Sequence, residues 1–186
     1  MDNFEKIISF ESLYKANKKC LRGKRNKKEA IVYQCNLGAN LTNLHYLLKY
    51  HKYTILNYHK FMIYDPKERE IQAISYEDRI VQRSICDNYL IPLLDKYLIN
   101  TNVACKKNKG SSFAIRYIKS SMSKMYRRYV NDFYVVKIDV KKYFDTINHN
   151  VLKEKLTKIV DDNNVLKLLS KIIDSYEKSK SEGLPM

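Results

Sequence analysis

Between Lys137 and His149 the chain reads KIDVKKYFDTINH. Asp139 closes a run in which polar and apolar residues alternate, and two lysines, two aromatic residues and a second carboxylate, Asp145, follow at once. A carboxylate at a strand end beside cations is a starting set for a magnesium and phosphate site. Mg²⁺ takes hard oxygen ligands, commonly one or two carboxylates, and leaves its other positions to water and substrate phosphates. Two metal ions about 4 Å apart clamp the attacking and leaving oxygens of an in-line phosphoryl transfer. One aspartate cannot hold both. Strand-terminal aspartates are also ordinary turn formers, so these residues alone leave Asp139 open between metal ligand and turn residue.

Charge narrows the partner. Thirty-five Lys and Arg against twenty Asp and Glu give a formal net charge of +15 over 186 residues. That exceeds what solubility needs and has the sign a polyanion selects, which makes nucleic acid the leading partner class. The densest stretch, KANKKCLRGKRNKK from Lys15 to Lys28, contains no acidic residue. Like-charge runs of this kind are solvated, partly disordered loops as readily as they are binding surfaces. Cys20, Cys35, Cys86 and Cys105 form no C-x-x-C pair and have no histidine at zinc-ligand spacing, as suits a reduced, cytoplasmic protein. His45, His51, His59 and His149 stand singly and read as surface or packing residues. No apolar run approaches the roughly 20 residues of a membrane span. The opening MDNFEKIISFESL has early acids and no apolar signal-peptide core. No membrane partner is expected.

The elements that must position Asp139 follow from the hydrophobic period. With 45% apolar residues, the chain can bury one core with a smaller lobe beside it. Residues 1–58 read as helical, Leu41, Leu44, Leu47 and Leu48 recurring at helical spacing. FMIYDPKEREIQAI predicts a β-hairpin with a type I turn at Asp65-Pro66-Lys67-Glu68 and a basic tip. Ser75 and Asp78 form a capping-box-like pair before a helix with Ile80, Val81, Ile85, Tyr89 and Leu90 on its apolar face, bent or stopped at Pro92. A basic loop, ACKKNKGSS, leads to a helix over 113–129 expected to bury Ile115, Ile118, Met122 and Tyr126. From Phe133 to Val140 the period becomes two, with Tyr134, Val136, Ile138 and Val140 expected to pack while Asp139 points the other way. Two amphipathic helices follow, carrying Leu152, Leu156 and Ile159, then Leu168, Leu169, Ile172 and Ile173. The expected fold class is α+β: helix-rich, with a β-hairpin and one central strand whose sheet is unfinished.

Four stretches in order carry a family resemblance. IDVKKYFDTINH resembles the first catalytic block of bacterial reverse transcriptases of the group II intron, retron and diversity-generating kinds. DPKEREIQAISYEDRIVQ resembles their fingers hairpin and the helix after it, ACKKNKGSSFAI their basic-glycine block, and GLPM the start of their GLPxG block. The resemblance implies a partial right-hand polymerase: a helical N-terminal lobe over 1–58, fingers over 59–131 and the first part of the palm over 132–186. It implies Asp139 as the first metal-binding carboxylate, with the Val140 carbonyl as a further ligand, and Mg²⁺ as cofactor, two ions being expected in a complete enzyme. Lys67 and Arg69 at the hairpin tip, and the amides of Lys142 and Tyr143, would meet the triphosphate of a deoxynucleotide. Phe144 would lie under the sugar and exclude a 2′-hydroxyl, and Pro185 and Met186 would line the pocket beside the base. Arg79, Lys106, Lys107 and Lys109 would contact template and primer, although Arg79 has Glu77 and Asp78 as alternative partners. Asp145 would order the turn.

The family's second carboxylate pair lies in a Y-x-D-D turn, and this chain contains no such tetrapeptide. YEDR at Tyr76 has the wrong pattern, and IVDD, ending at Asp162, falls in a helical stretch ahead of GLPM. The chain is therefore expected to stop before the palm is complete, to need the remainder of the palm and thumb from a parent protein, and not to polymerise alone. The implied activity is RNA-directed DNA polymerisation on an RNA template and a DNA primer. The alternatives are a non-catalytic basic nucleic-acid-binding remnant, or a template-independent or protein-primed relative acting in phage defence.

Overall fold

In the computed structural model, residues 2–56, 58–104, 106–176 and 180–185 are described. Contacts divide the chain into two units, Met1–Leu93 with Lys142–Met186, and Leu94–Lys141. Each is considered by itself.

In the first unit, Ser9 both ends one helix and starts the next. Its hydroxyl donates to the Lys6 carbonyl at 3.0 Å and accepts the Ser12 amide at 3.2 Å. The chain thereby turns from α1 (Asn3–Ile8) into α2 (Phe10–Cys20) with a polar terminus satisfied on each side. α3 (Lys28–Cys35) and α4 (Leu37–Lys49) complete the N-terminal helices. Ile7, Ile8, Leu13, Leu41 and Leu44 interdigitate with Ile80, Val81 and Ile85 from α5 (Tyr76–Ile85), all essentially inaccessible to solvent. The Lys15–Lys28 run belongs to the end of α2, a series of turns over 21–26 and the first residue of α3. Gly23 has a φ of +69° there, a value that favours glycine.

The expected Ser75 cap is present. Ser75 Oγ accepts the Asp78 amide at 3.0 Å and donates to Asp78 Oδ2 at 2.8 Å. Asp78 is wholly buried. It also receives the Leu56 amide at 3.1 Å, and the Tyr53 hydroxyl on its other oxygen. One carboxylate thus joins the α5 N-terminus to the strand-like run leaving α4. Beyond Ile85 the helical path continues through Pro92 and ends at Leu94. It widens into a π-turn over Cys86–Leu90 and continues as α6 (Ile91–Leu94). Pro92 lacks the N–H that a regular ladder would use, and the wider turn is one way to absorb that loss.

The hairpin lies where the sequence puts it. β1 (His59–Ile63) and β2 (Arg69–Ala73) pair antiparallel, with His59 opposite Ala73 and Ile63 opposite Arg69. The tip over 64–68 curves through bends at 65–67 and lacks the hydrogen-bonded type I turn that Asp65-Pro66 suggested. Gln72 donates to the Tyr176 hydroxyl at 3.0 Å, and the Tyr58 and Ser175 hydroxyls lie 2.8 Å apart. These bonds tie the hairpin base to the end of α9 (Asn163–Asp174). α8 (His149–Thr157) packs on α9. Asp162, rejected above as a metal ligand, caps two helices: its Oδ1 takes the Asn164 and Val165 amides of α9 at 2.9 and 3.2 Å, and its Oδ2 takes the Phe4 amide of α1 at 3.0 Å.

The second unit departs from expectation twice. α7 (Ser111–Tyr129) forms, but Ile115, Ile118, Met122 and Tyr126 are exposed, Ile115 at 66%. A helix buries its apolar stripe only against another layer, and this unit supplies none to α7. Likewise, the run from Phe133 to Val140 is not a strand: among the described residues the strands are β1 and β2. Tyr134 is 93% exposed and Ile138 85%, so both faces of the run meet solvent. Period-two alternation gives β tendency, but a ladder needs a neighbouring strand for its N–H and C=O groups. Among the described residues the architecture is thus helix-rich with one two-stranded antiparallel hairpin, and the expected central strand over 133–140 does not form.

Replacing Asp78 by Ala leaves three donors without their charged acceptor. The expected cost is about 2–4 kcal/mol, read as a lower urea midpoint, whereas Asp161→Ala on the surface should fall within about 0.5 kcal/mol. Burial also raises the acidities' threshold of Tyr33 and Tyr53 and pushes Tyr76 up to about 12. Each folded value lies above the unfolded one of about 10, so the contribution to stability is complete below about pH 10 and is lost as pH rises through the folded values, about 12 for Tyr76 and higher for Tyr33 and Tyr53. Tyrosinate absorbance and far-ultraviolet circular dichroism should therefore change together in alkaline titration. Complete tyrosine ionisation with the helix signal intact would contradict this.

Candidate functional site

The turn after Asp139 is built by short-range hydrogen bonds. Lys142 has a φ of +52°, and its carbonyl accepts the amides of Asp145 at 3.0 Å and Thr146 at 3.2 Å, closing a 3₁₀ turn over Phe144–Thr146. Asp145 lies within this turn, half-buried. Phe144 and Tyr143 are exposed and meet edge to face, 5.5 Å between ring centres. Lys142 is exposed as well. Asn148 then caps α8, accepting the Asn150 and Val151 amides at 3.0 and 3.1 Å.

Against this turn lies the GLP segment. The amides of Leu184 and Gly183 donate to the carbonyls of Phe144 and Ile147, at 2.8 and 3.0 Å, and the His149 amide donates to the Ser181 carbonyl at 2.9 Å. Asn148 and Glu182 form an antiparallel bridge. Gly183, with a φ of +99°, is buried at the centre of this pairing. His149 locks it: the fully buried ring places Nε2 2.7 Å from the Gly183 carbonyl, to which it donates. Its Nδ1 is 3.4 Å from Asp174 Oδ1, within ion-pair range but without hydrogen-bond geometry. Lys153 binds both oxygens of the same carboxylate at 2.9 and 3.0 Å. Phe144 and Pro185, far apart in sequence, thus belong to two paired segments. Met186 lies outside the described residues.

The remaining candidates of this unit are on the hairpin and α5. Lys67 is in the tip and Arg69 opens β2; both are exposed. Across the strands, Lys60 approaches Glu70 at 3.9 Å. Arg79 pairs with neither acidic neighbour: its Nη2 donates to the Ile74 carbonyl at 3.1 Å, fixing the chain between β2 and α5.

Asp139 and Val140 belong to the second unit, where both are exposed. An exposed carboxylate followed by an open carbonyl fits one shared position on Mg²⁺, whose other ligands can be water and phosphate. Among the described residues there is no cluster of three or more His, Cys, Asp or Glu that could enclose a metal ion. The basic loop turns through Asn108, φ +61°. Lys106 is 85% withdrawn from solvent and pairs with Asp95 at 3.1 Å. Lys109 reaches the Asn100 carbonyl and lies 5.3 Å from the centre of the Phe113 ring. Lys107 is exposed.

Three groups that matter here escaped the sequence reading of sites. His149 gave no signal beyond its place after Asn148. The pairing of Gln34 with Asn17, described below, joins residues a helix apart. Asp78 was visible as a capping partner but not as the acceptor for Tyr53.

No protein-family model matches the chain, and no curated protein matches it.

His149→Ala removes the buried donor that holds Gly183. A loss of about 1–3 kcal/mol should speed amide exchange of Gly183 and Leu184 by about ten- to a hundredfold. Unchanged protection of these two amides would show that the backbone bonds alone hold the segment.

Proposed function

We propose that the chain is the fingers and first palm portion of a cytoplasmic RNA-directed DNA polymerase, a reverse transcriptase. The observation that carries this reading is the pairing of the 144–149 turn with 181–184 around buried Gly183 and His149. It brings together the two motifs that a deoxynucleotide pocket of this kind needs side by side, an aromatic residue for the sugar and a GLP segment for the base.

In the reaction, a primer 3′-hydroxyl attacks the α-phosphate of a deoxynucleoside triphosphate, a P–O bond forms to the primer and the bond to pyrophosphate breaks. Asp139, with the Val140 carbonyl, would hold Mg²⁺, which supplies charge stabilisation at the reacting phosphate. A second ion and the remaining carboxylates come from the remainder of the palm. Lys67 and Arg69 neutralise the triphosphate, Arg69 through paired donors and Lys67 as a point charge. The amides of Lys142 and Tyr143 face the phosphates, Phe144 excludes the ribose 2′-hydroxyl, and Pro185 and Met186 bound the base. Lys107 contacts template-primer phosphates directly, with Lys106 and Lys109 beside it in the same loop. Arg79, fixed on Ile74, orients the hairpin and keeps its other donors for template.

A second reading, a basic nucleic-acid-binding remnant, is favoured by the net charge of +15 together with the missing Y-x-D-D. Activity separates the two. RNA-templated deoxynucleotide incorporation with Mg²⁺ by the protein carrying this chain should fall at least about a hundredfold in Asp139→Ala, since metal stabilisation is worth several kcal/mol at about 1.4 kcal/mol per tenfold. Phe144→Ala should admit ribonucleotides. Incorporation unaffected by Asp139→Ala would remove the metal-ligand role, and no incorporation in the parent protein would favour the remnant.

A further inference from the structure

The densest basic run is not used by the polymerase reading, and the structure gives it a shape. A cleft of about 460 Å³ opens between the end of α2, the turns over 21–26 and the α3–α4 junction. Its cations are Lys18, Arg22 and Arg25, and no acidic residue lines it. Arg22 and Arg25 are exposed, and none of the three is ion-paired among the described residues. Lys18 rests over the Tyr14 ring, 4.5 Å from its centre. Two guanidinium groups without an ion-pair partner among the described residues, beside an ammonium held over a ring, are a set of donors for phosphate oxygens.

The opposite lining is of another kind. Tyr14, Leu21 and Leu37 supply apolar surface, suited to the face of a flat ring. At the back, Asn17 and Gln34 pair amide to amide, Gln34 Nε2 donating to Asn17 Oδ1 at 2.9 Å and Asn17 Nδ2 to Gln34 Oε1 at 3.4 Å. Tyr76 also donates to Asn17 Oδ1 at 2.8 Å, and Asn17 is 1% exposed. The pair is therefore held rigidly from behind. By the donor and acceptor inventory of an amide, Gln34 keeps one N–H and one lone pair unspent. These point to opposite sides of the Cγ–Cδ bond, because the pairing with Asn17 takes the edge where donor and acceptor lie side by side, so Gln34 offers a nucleobase one hydrogen bond at a time.

We propose that this cleft binds one nucleotide unit, phosphate on Arg22, Arg25 and Lys18, base against Tyr14, Leu21 and Leu37, and base edge on Gln34. Inorganic phosphate would use only the cations and leave the amide and apolar walls idle. The unit is either a free nucleotide or one residue of a single strand. Arg25 also lines a neighbouring cleft of about 440 Å³ with Lys24 and Lys27, which gives a strand a basic path onward. The site is independent of the polymerase reading: it contains neither Asp139 nor Phe144 and needs no metal.

The test is equilibrium binding to the full chain in EDTA, using a fluorescent single-stranded RNA oligonucleotide, the same oligonucleotide with abasic residues, and AMP. Base stacking is worth about 1–3 kcal/mol, so the normal strand should bind about fivefold to a hundredfold tighter than the abasic one. Arg22→Ala with Arg25→Ala, both exposed, should weaken the normal strand by about tenfold or more. Gln34→Ala should reduce the preference for bases, and Asp161→Ala, an exposed carboxylate outside the cleft, should change nothing here. Saturable AMP binding lost in the double variant supports the proposal with a free nucleotide as source. AMP silence with base-dependent strand binding supports it with a strand as source. Equal affinity for normal and abasic strands with no AMP binding, or parent affinity in the double variant, overturns it, and does so whatever the incorporation assay shows.

Discussion

Asp78 is the constraint on which the first unit depends. A buried carboxylate is tolerable only when its lone pairs are met by donors, and the three donors here come from different places: Tyr53 and Leu56 after α4, and Ser75 at the α5 cap. Satisfying one side chain therefore fixes where the N-terminal helices hand over to the hairpin and where the hairpin hands over to α5. Arg79 adds a second tie one residue later, on the Ile74 carbonyl. The hairpin that presents Lys67 and Arg69 thus rises from a base held at both ends, with its tip left exposed.

The same logic recurs at the 144–149 turn. Gly183 and His149 are buried together, and their hydrogen bonds leave Phe144 and Tyr143 free at the surface. Rigid polar anchoring beneath and exposed aromatic side chains above is the arrangement a binding surface needs, because the anchors fix geometry while the exposed groups remain available to a ligand. In the second unit the balance is reversed. α7 and the run to Val140 carry exposed apolar side chains, and local contacts such as Lys106 with Asp95 and Lys109 with Asn100 order its basic loop.

Local rules were legible in the sequence, and long-range ones were not. Leu41, Leu44 and Leu48 are buried where their spacing put them, Ser75 caps α5, and the β-prone runs around Asp65 and Pro66 pair as a hairpin. These outcomes depend on residues within a turn or two of one another. The stripe of α7 also predicted its helix correctly, but the burial of Ile115 and Ile118 depends on a partner that periodicity cannot name. For the same reason the alternation over 133–140 signalled β tendency without yielding a strand. The Lys15–Lys28 run looked indifferent between loop and surface. It turned out to be helix end and turns, because Ala16, Asn17 and Cys20 on its other face are buried. Of the candidate site, composition and order of motifs suggested the residues. The contact of Phe144 with Leu184 required coordinates.

Asp139 is proposed to share a divalent ion with phosphates. The most direct measurement replaces Mg²⁺ by Fe²⁺, with ascorbate and peroxide, on the protein carrying this chain bound to an RNA template, a DNA primer and a deoxynucleotide, so that hydroxyl radicals cut the backbone beside the ion. Cuts within 138–141 that disappear in Asp139→Ala are the expected result. Cleavage that avoids this stretch, or that persists unchanged in the variant, would contradict it.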